Sequence, residues 1–349
     1  MVRFTVLASG SKGNSSVITA GHTRILIDAG LSCRELFRRM RLVDEDPATL
    51  NAILITHEHS DHVGGLVVTA RKLGIPVYFT ESTHRAWMRQ LAPKRQMTYA
   101  QWLEQRRLLA ELTANAPETA CAPPASREQD IEDAEEEFFG DPRLPQTFIL
   151  DVDSEAGAES EATEPTAVTD SSSETPAARP PAWLPVVEYF EAGVPFSVGE
   201  INVSPFTIPH DAADPVGFVL SAEGVRLALA TDLGYMPPNV KGQLRGVDLL
   251  HLESNHDLDM LRDGPYPWAV KQRVLSRVGH LSNEATANYL EQEYDGQARV
   301  VILAHLSEKN NLPHLARLCA EHALTSHATL LANRLLLAHQ QEPLASIYF

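Results

Sequence analysis

The stretch Asn51-Ala-Ile-Leu-Ile-Thr56-His57-Glu58-His59-Ser60-Asp61-His62-Val63-Gly64-Gly65 decides the fold. It opens as a short apolar strand and turns polar at Thr56. It then places His57, His59, Asp61 and His62 within six residues, directly before a glycine pair and an apolar run that reads as a helix over 65–73. Side chains alternate along an extended segment, so His57 and His59 point the same way. The turn that follows swings Asp61 and His62 toward a second, nearby point. Imidazole and carboxylate together suit zinc, manganese or iron. Four such ligands within six residues can hardly all serve one tetrahedral ion, so the spacing favours two adjacent metals.

A dinuclear site needs further ligands, and other strand ends offer them. An apolar run over 201–209 ends in His210, one over 225–231 ends in Asp232, and one over 299–304 ends in His305. Each delivers a single metal-type residue at a strand tip, as expected of a rigid scaffold that aims loops at a common point. Asp28, in Leu26-Ile-Asp-Ala-Gly30, sits at another strand tip.

Further strands are expected at 3–7, 16–19, 24–27, 76–79, 216–220 and 248–252, with helices at 33–40, 85–90, 283–293 and 312–322. Strands and helices alternate in both halves, which suggests sheets covered by helices. The halves, 1–112 and 183–349, flank a segment rich in Glu, Ala, Ser, Thr and Pro. Between Thr113 and Ala182 there are 17 Asp/Glu against 3 Arg, a balance of −14 within a total of −17. Such a composition does not repay the ordering entropy of about 1–2 kcal/mol per residue, so a mostly disordered insertion is expected. The remainder is close to neutral, and its charge neither favours nor excludes a polyanionic substrate. Three scattered cysteines give no disulfide framework or zinc ribbon. No signal-type leader or run of about 18 apolar residues is visible, so a cytoplasmic protein with no membrane association is expected.

Thr56-His-Glu-His-Ser-Asp-His62, Ala230-Thr-Asp232-Leu-Gly and the single residues His210 and His305 resemble the metallo-β-lactamase superfamily. Within it, Ser9-Gly-Ser-Lys-Gly-Asn-Ser15, Pro209-His-Asp-Ala-Ala-Asp-Pro215, Leu252-Glu-Ser-Asn-His-Asp257, Gly279-His-Leu-Ser-Asn283 and Ala304-His-Leu-Ser-Glu-Lys-Asn-Asn311 resemble the YycJ/WalJ-type branch, related to ribonucleases Z and J. The likeness spans both halves; the acidic insertion has no counterpart in the family pattern.

The resemblance implies an α+β fold, a four-layer αββα sandwich, with two divalent ions, Zn or Mn, at one edge of its sheets. It implies that His57, His59 and His210 hold one ion, that Asp61, His62 and His305 hold the other, and that Asp232 bridges. A hydroxide between the ions would be the nucleophile, and Asp61 would count among the catalytic residues as well as the ligands. His280 is the candidate for protonating the leaving group, Glu253 for orienting it, and His256 is an alternative in either role. Asp28 is implied as support for a ligand. The implied function is a phosphodiester hydrolase, a 5′→3′ exonuclease with DNA as substrate.

Three functions compete: that nuclease, a metallo-hydrolase of a small thioester, lactam or phosphodiester, and a metal-binding regulatory protein. Asp61 and Asp232 weigh against the last, because a structural zinc closes four-coordinate without a bridged pair. His280 and Glu253 weigh toward a phosphodiester, whose leaving oxygen benefits from a proton donor. The glycine-rich 9–15 loop reads either as a phosphate cradle of backbone N–H groups or as a plain hairpin turn. Arg34, Arg38, Arg39, Arg85 and Arg89 read either as a nucleic-acid contact or as a solvated face.

Overall fold

The apolar runs of both halves become two seven-stranded sheets in a computed structural model, which describes residues 1–92, 107, 183–325 and 334–349. The insertion expected over 113–182 lies outside the described residues. The first sheet contains β1 (Val2–Ala8), β2 (Ser15–Ala20), β3 (Thr23–Ile27), β4 (Ala52–Leu54), β5 (Pro76–Phe79) and β6 (Val186–Tyr189). The second contains β7 (Phe196–Val198), β8 (Ile201–Thr207), β9 (Val216–Ala222), β10 (Val225–Ala230), β11 (Leu249–Glu253), β12 (Val300–Ala304) and β13 (Arg334–Leu337). The carboxyl-terminal β14 (Ile347–Tyr348) returns to pair with β1. The orders are β14-β1-β2-β3-β4-β5-β6 and β13-β12-β11-β10-β9-β8-β7.

Apolar side chains fall into three layers. Phe4, Ile18, Ile25 and Leu54 of the first sheet meet Val203, Phe218, Leu227 and Ile302 of the second. The outer face of the first sheet is covered by α1 (Cys33–Leu42), α3 (Leu66–Leu73) and α4 (Glu81–Leu91), through Leu36, Met40, Leu66 and Trp87. The outer face of the second is covered by α5 (Pro238–Gln243), α8 (Asn283–Gln292) and α9 (Pro313–Leu324), through Val240, Leu290 and Ala316. The order helix, sheet, sheet, helix is the expected sandwich. Each fully buried Leu, Ile or Phe contributes about 1.5–3 kcal/mol, so the strands form a stiff frame for the loops beyond them. Three further short helices lie among the described residues: α2 (Ser60–Val63), α6 (Leu258–Asp263) and α7 (Trp268–Leu275). No helix among the described residues is long and apolar enough to cross a membrane.

Strand direction positions the site. β3, β4, β5 and β6 run parallel, as do β10, β11, β12 and β13, so within each group the carboxyl ends reach one edge. Pairing of Ala230 with Leu252, and of Glu253 with Ala304, brings Asp232, Glu253 and His305 to neighbouring strand tips. Of the arginines expected on α1 and α4, Arg39 serves the fold, and Arg34, Arg38, Arg85 and Arg89 lie on exposed faces. Arg39 is buried and donates to the carbonyls of Leu7 and Gln340, while Arg38 and Arg85 pair with Glu35 and Glu81 on their own helices.

Candidate metal centre

Each ligand candidate sits where a buried strand ends. β4 leads into His57 and His59, α2 carries Asp61 and His62, and the loop between β8 and β9 carries His210. Asp232 follows β10 and His305 follows β12. Asp28, Asp232 and His305 all have positive φ, at 58°, 64° and 56°. Asp and His tolerate this left-handed region better than most residues, and it turns each side chain sharply off its strand.

The seven candidates converge. His57 Nε2 lies 3.1 Å from His59 Nδ1, which lies 3.2 Å from His210 Nε2. Tetrahedral zinc with nitrogens at about 2.0–2.1 Å spaces them about 3.3 Å apart, so this triad has the dimensions of a ligand set. In the second group, Asp61 Oδ2 is 3.4 Å from His62 Nε2 and 3.5 Å from His305 Nε2. Asp232 stands between the groups, with Oδ2 3.5 Å from His62 Nε2 and Oδ1 4.0 Å from His210 Nε2.

The outer nitrogens explain why the inner ones are available. His57 Nδ1 donates to Thr56 Oγ1 (3.0 Å), His62 Nδ1 to Asp28 Oδ2 (2.8 Å), His210 Nδ1 to the Gly279 carbonyl (3.2 Å) and His305 Nδ1 to Glu253 Oε1 (3.0 Å). With its proton committed on that side, each imidazole turns a lone pair into the shared space, as metal-binding histidines do. Asp232 Oδ2 and His305 Nε2 are buried there without a hydrogen-bond partner. Buried orphan acceptors are costly unless a cation meets them, so the residues present fit divalent ions.

The electrostatics agree. Burial pushes the His57 imidazole well below its ordinary value, with His62 adding to the effect, and burial also lowers His210. Both are thereby kept neutral, the form a ligand requires. Burial opposes ionisation of Asp61 and Asp232, but the neighbouring histidines, His62 for Asp61 and His305 for Asp232 foremost, outweigh it and hold both well below the usual carboxylate range. Burial likewise opposes charge on His62 and His305, yet the surrounding carboxylates raise both well above the ordinary imidazole value. A metal ion bound there would displace those protons, since an imidazole ligates in its neutral form.

Glu253 and His280 also meet. Fully buried Glu253 accepts from His280 Nδ1 (2.8 Å) and His305 Nδ1 (3.0 Å) through Oε1, and from the Leu233 and Leu281 N–H groups through Oε2 (2.6 and 3.3 Å). Burial disfavours its charge, but His280 and His305 more than compensate and keep it ionised. Glu253 and His280 lie close enough to Asp232 and His305 to form a further potential ligand group. Four donors already occupy the Glu253 carboxylate, which makes it an orienting group for two imidazoles. His256, the sequence alternative, is buried with neither ring nitrogen hydrogen-bonded, and burial pushes it down to about 4.

Other contacts were not foreseen. Asn14 Nδ2 donates to Asp61 Oδ2 (2.9 Å), and Ser9 Oγ accepts from the His305 N–H (2.8 Å). The phosphate-cradle reading of their loop is corrected. The N–H groups of Gly10, Lys12, Gly13 and Asn14 are spent on Asn14 Oδ1, Gln340 Oε1, the Gly10 carbonyl and the Asp61 carbonyl. The loop therefore braces ligand candidates. Glu58, inside the histidine motif, accepts from the Ala213 N–H (2.9 Å) and ties that motif to the His210 loop. Asp28, buried, also accepts from the Thr56 N–H and hydroxyl (2.9 and 2.9 Å). Asp28→Asn is therefore expected to weaken metal affinity or activity by about 10–100-fold. Competition with a chromophoric chelator checks this, and unchanged affinity with unchanged rate would remove Asp28 from the centre.

A profile described as the metallo-beta-lactamase superfamily matches residues 8–270. Over 326 residues the chain is 31% identical to exodeoxyribonuclease YycJ of Bacillus anthracis, covering 93% of this chain and 89% of that protein. It is 28% identical over 316 residues to exodeoxyribonuclease WalJ of Streptococcus pneumoniae serotype 2, covering 90% and 86%. The crystal structure of the metallo-beta-lactamase fold protein YhfI from Bacillus subtilis matches across 99% of both chains, with a TM-score of 0.54 and 11% identity. That last likeness concerns the fold alone.

Proposed function

The chain belongs to the metallo-β-lactamase superfamily and is a metal-dependent hydrolase, and on that footing we propose that it is a dinuclear phosphodiesterase that removes nucleotides from the 5′ end of DNA. The observation that carries this reading is the His280–Glu253 pair beside Asp232, with His280 Nδ1 2.8 Å from one carboxylate and 3.9 Å from the other. A thioester expels a thiolate that needs little protonation, whereas a deoxyribose oxygen needs a proton as it departs. The names of the YycJ and WalJ relatives support DNA as the substrate class.

In this proposal His57, His59 and His210 would hold one ion and Asp61, His62 and His305 the second, with Asp232 within reach of both groups. Divalent ions bound there would supply an acidified water and charge stabilisation for phosphoryl oxygens. The chain supplies the rest. Thr56, Asp28, Gly279 and Glu253 fix the imidazoles, so little reorganisation is needed when charge develops. Glu253, ionised and buried, accepts the Nδ1 proton of His280 and fixes the orientation of its ring. That leaves Nε2 to hand a proton to the 3′ oxygen of the departing nucleotide. The His280 side chain is 22% exposed, so it stands where substrate arrives.

The test combines metal analysis with digestion of labelled, 5′-phosphorylated single-stranded DNA and RNA. The expected result is close to two ions per chain and release of mononucleotides from DNA. Cleavage confined to a small diester or a thioester would end the nuclease reading and leave the metal centre standing.

A further inference from the structure

Among the described helices, α7 is alone in burying no side chain. Trp268 is 68% exposed and Leu275 50%, and they share a face with Lys271 at spacings of three and seven residues. An eight-residue helix is marginal by itself, so contacts at its carboxyl end must hold α7. Those contacts lead straight to the metal centre. The Asp211 N–H donates to the Val278 carbonyl, Arg273 pairs with Asp211, and the His280 N–H donates to the Val274 carbonyl. A Cβ on Gly234, two residues past Asp232, would lie 2.1 Å from the Arg277 carbonyl oxygen, and one on Gly279 would lie 2.2 Å from that of Val274. Only glycine permits this approach, which fixes α7 on the rim of the centre.

The rim is basic in an acidic chain. From Gly264 to Asn283 there are Lys271, Arg273 and Arg277 and no Asp or Glu, against a net charge of −17 overall. Arg273 is committed to Asp211, Lys271 Nζ donates to the Arg262 carbonyl (2.6 Å), and Arg277 lies over the Tyr235 ring, 4.4 Å from its centroid. An exposed aromatic among cations beside a hydrolytic centre has the composition of a single-strand binding surface, where bases stack and phosphates pair.

We propose that α7 is the platform for the nucleic-acid strand that leads away from the active site, with Trp268 stacking on a base and Lys271 and Arg277 holding phosphates. This rests on the nuclease reading above and adds where the strand runs. The exposed indole of Trp268 together with the cations Lys271 and Arg277 commits the face to a nucleic-acid strand, whose bases stack and whose phosphates pair.

The test measures KM and kcat for metal-loaded full-length protein on 5′-phosphorylated thymidine dinucleotide and 12-mer, across a salt series. Wild type should favour the 12-mer. In Trp268→Ala the ratio of the two KM values should shrink by about tenfold, the loss typical of one base–aromatic stack. Trp268→Phe should restore it. Lys271→Ser/Arg277→Ser should flatten the salt dependence of KM for the 12-mer by about 0.7 in logarithmic slope per lost phosphate contact, a change that lost packing would not produce. If wild type cleaves neither oligonucleotide, the nuclease reading fails and takes this proposal with it. If wild type cleaves both and the variants keep its KM ratio and salt slope, the platform is wrong and the nuclease reading stands. Trp268→Ala that sediments as a smaller species than wild type, with the ratio unmoved, would assign the face to a second copy of the chain and overturn the proposal.

Discussion

Asp232→Asn protein is expected to lose about one divalent ion per chain and to hydrolyse a 5′-phosphorylated oligonucleotide at roughly a thousandth of the wild-type rate or less. Asparagine keeps the volume, so no cavity enters the comparison. What changes is charge and ligand capacity at the one side chain that reaches both clusters, through Oδ2 to His62 and Oδ1 to His210. The cost should fall unevenly. His57, His59 and His210 still form a three-nitrogen set, whereas Asp61, His62 and His305 are left with Asp61 as their own carboxylate. A single residual ion retained by the histidine triad is the expected pattern in metal analysis. Wild-type metal content together with a rate within about threefold of wild type would mean that Asp232 is structural, and the two-ion scheme would go with it.

Much of this site is legible in the sequence because His57, Asp232 and His305 follow apolar runs that end at the site. β11 and β12 are buried along their whole length, so the first polar residues at their ends stand out. The same signal marked β10 and Asp232. Less legible is anything that depends on partners far apart in the chain. Glu253 reads as a companion of His280, 27 positions away, but its equal commitment to His305, 52 positions away, follows only from the register of β11 and β12. Asn14 reads as a turn residue because nothing local shows that Asp61 lies across from it.

Several elements escaped the sequence for identifiable physical reasons. β6 and β7 are edge strands of four and three residues whose side chains are mostly not buried, so they lack a clear alternation. α7 has no inward face, so no apolar period announces it. The start of α4 at Glu81, four residues before the expected helix, is set by Thr80, whose hydroxyl caps the Thr83 N–H. Such a cap is worth about 1 kcal/mol and extends a helix past its apolar stripe.

His280→Ala is expected to keep its full metal content and to lose about 10²–10⁴ in kcat on DNA, the usual worth of a positioned proton donor. The decisive measurement is how that loss depends on the leaving group. The deoxyribose 3′ oxygen departs as a poor, strongly basic leaving group, so its reaction depends on proton delivery. On bis(4-nitrophenyl) phosphate, whose nitrophenolate departs without a proton, the same substitution should cost only a few-fold, since binding contacts of His280 are all that remain to be lost. Glu253→Gln should behave differently. Its Oε1 serves His305 as well as His280, so the variant should slow DNA cleavage and also weaken metal binding in the Asp61–His62–His305 group. This contrast separates a proton donor from a group that merely shapes the pocket. Equal losses on the two substrates would remove the general-acid role from His280. Loss of metal in His280→Ala would instead make it a ligand, alongside Asp232 and His305 in the group they already form.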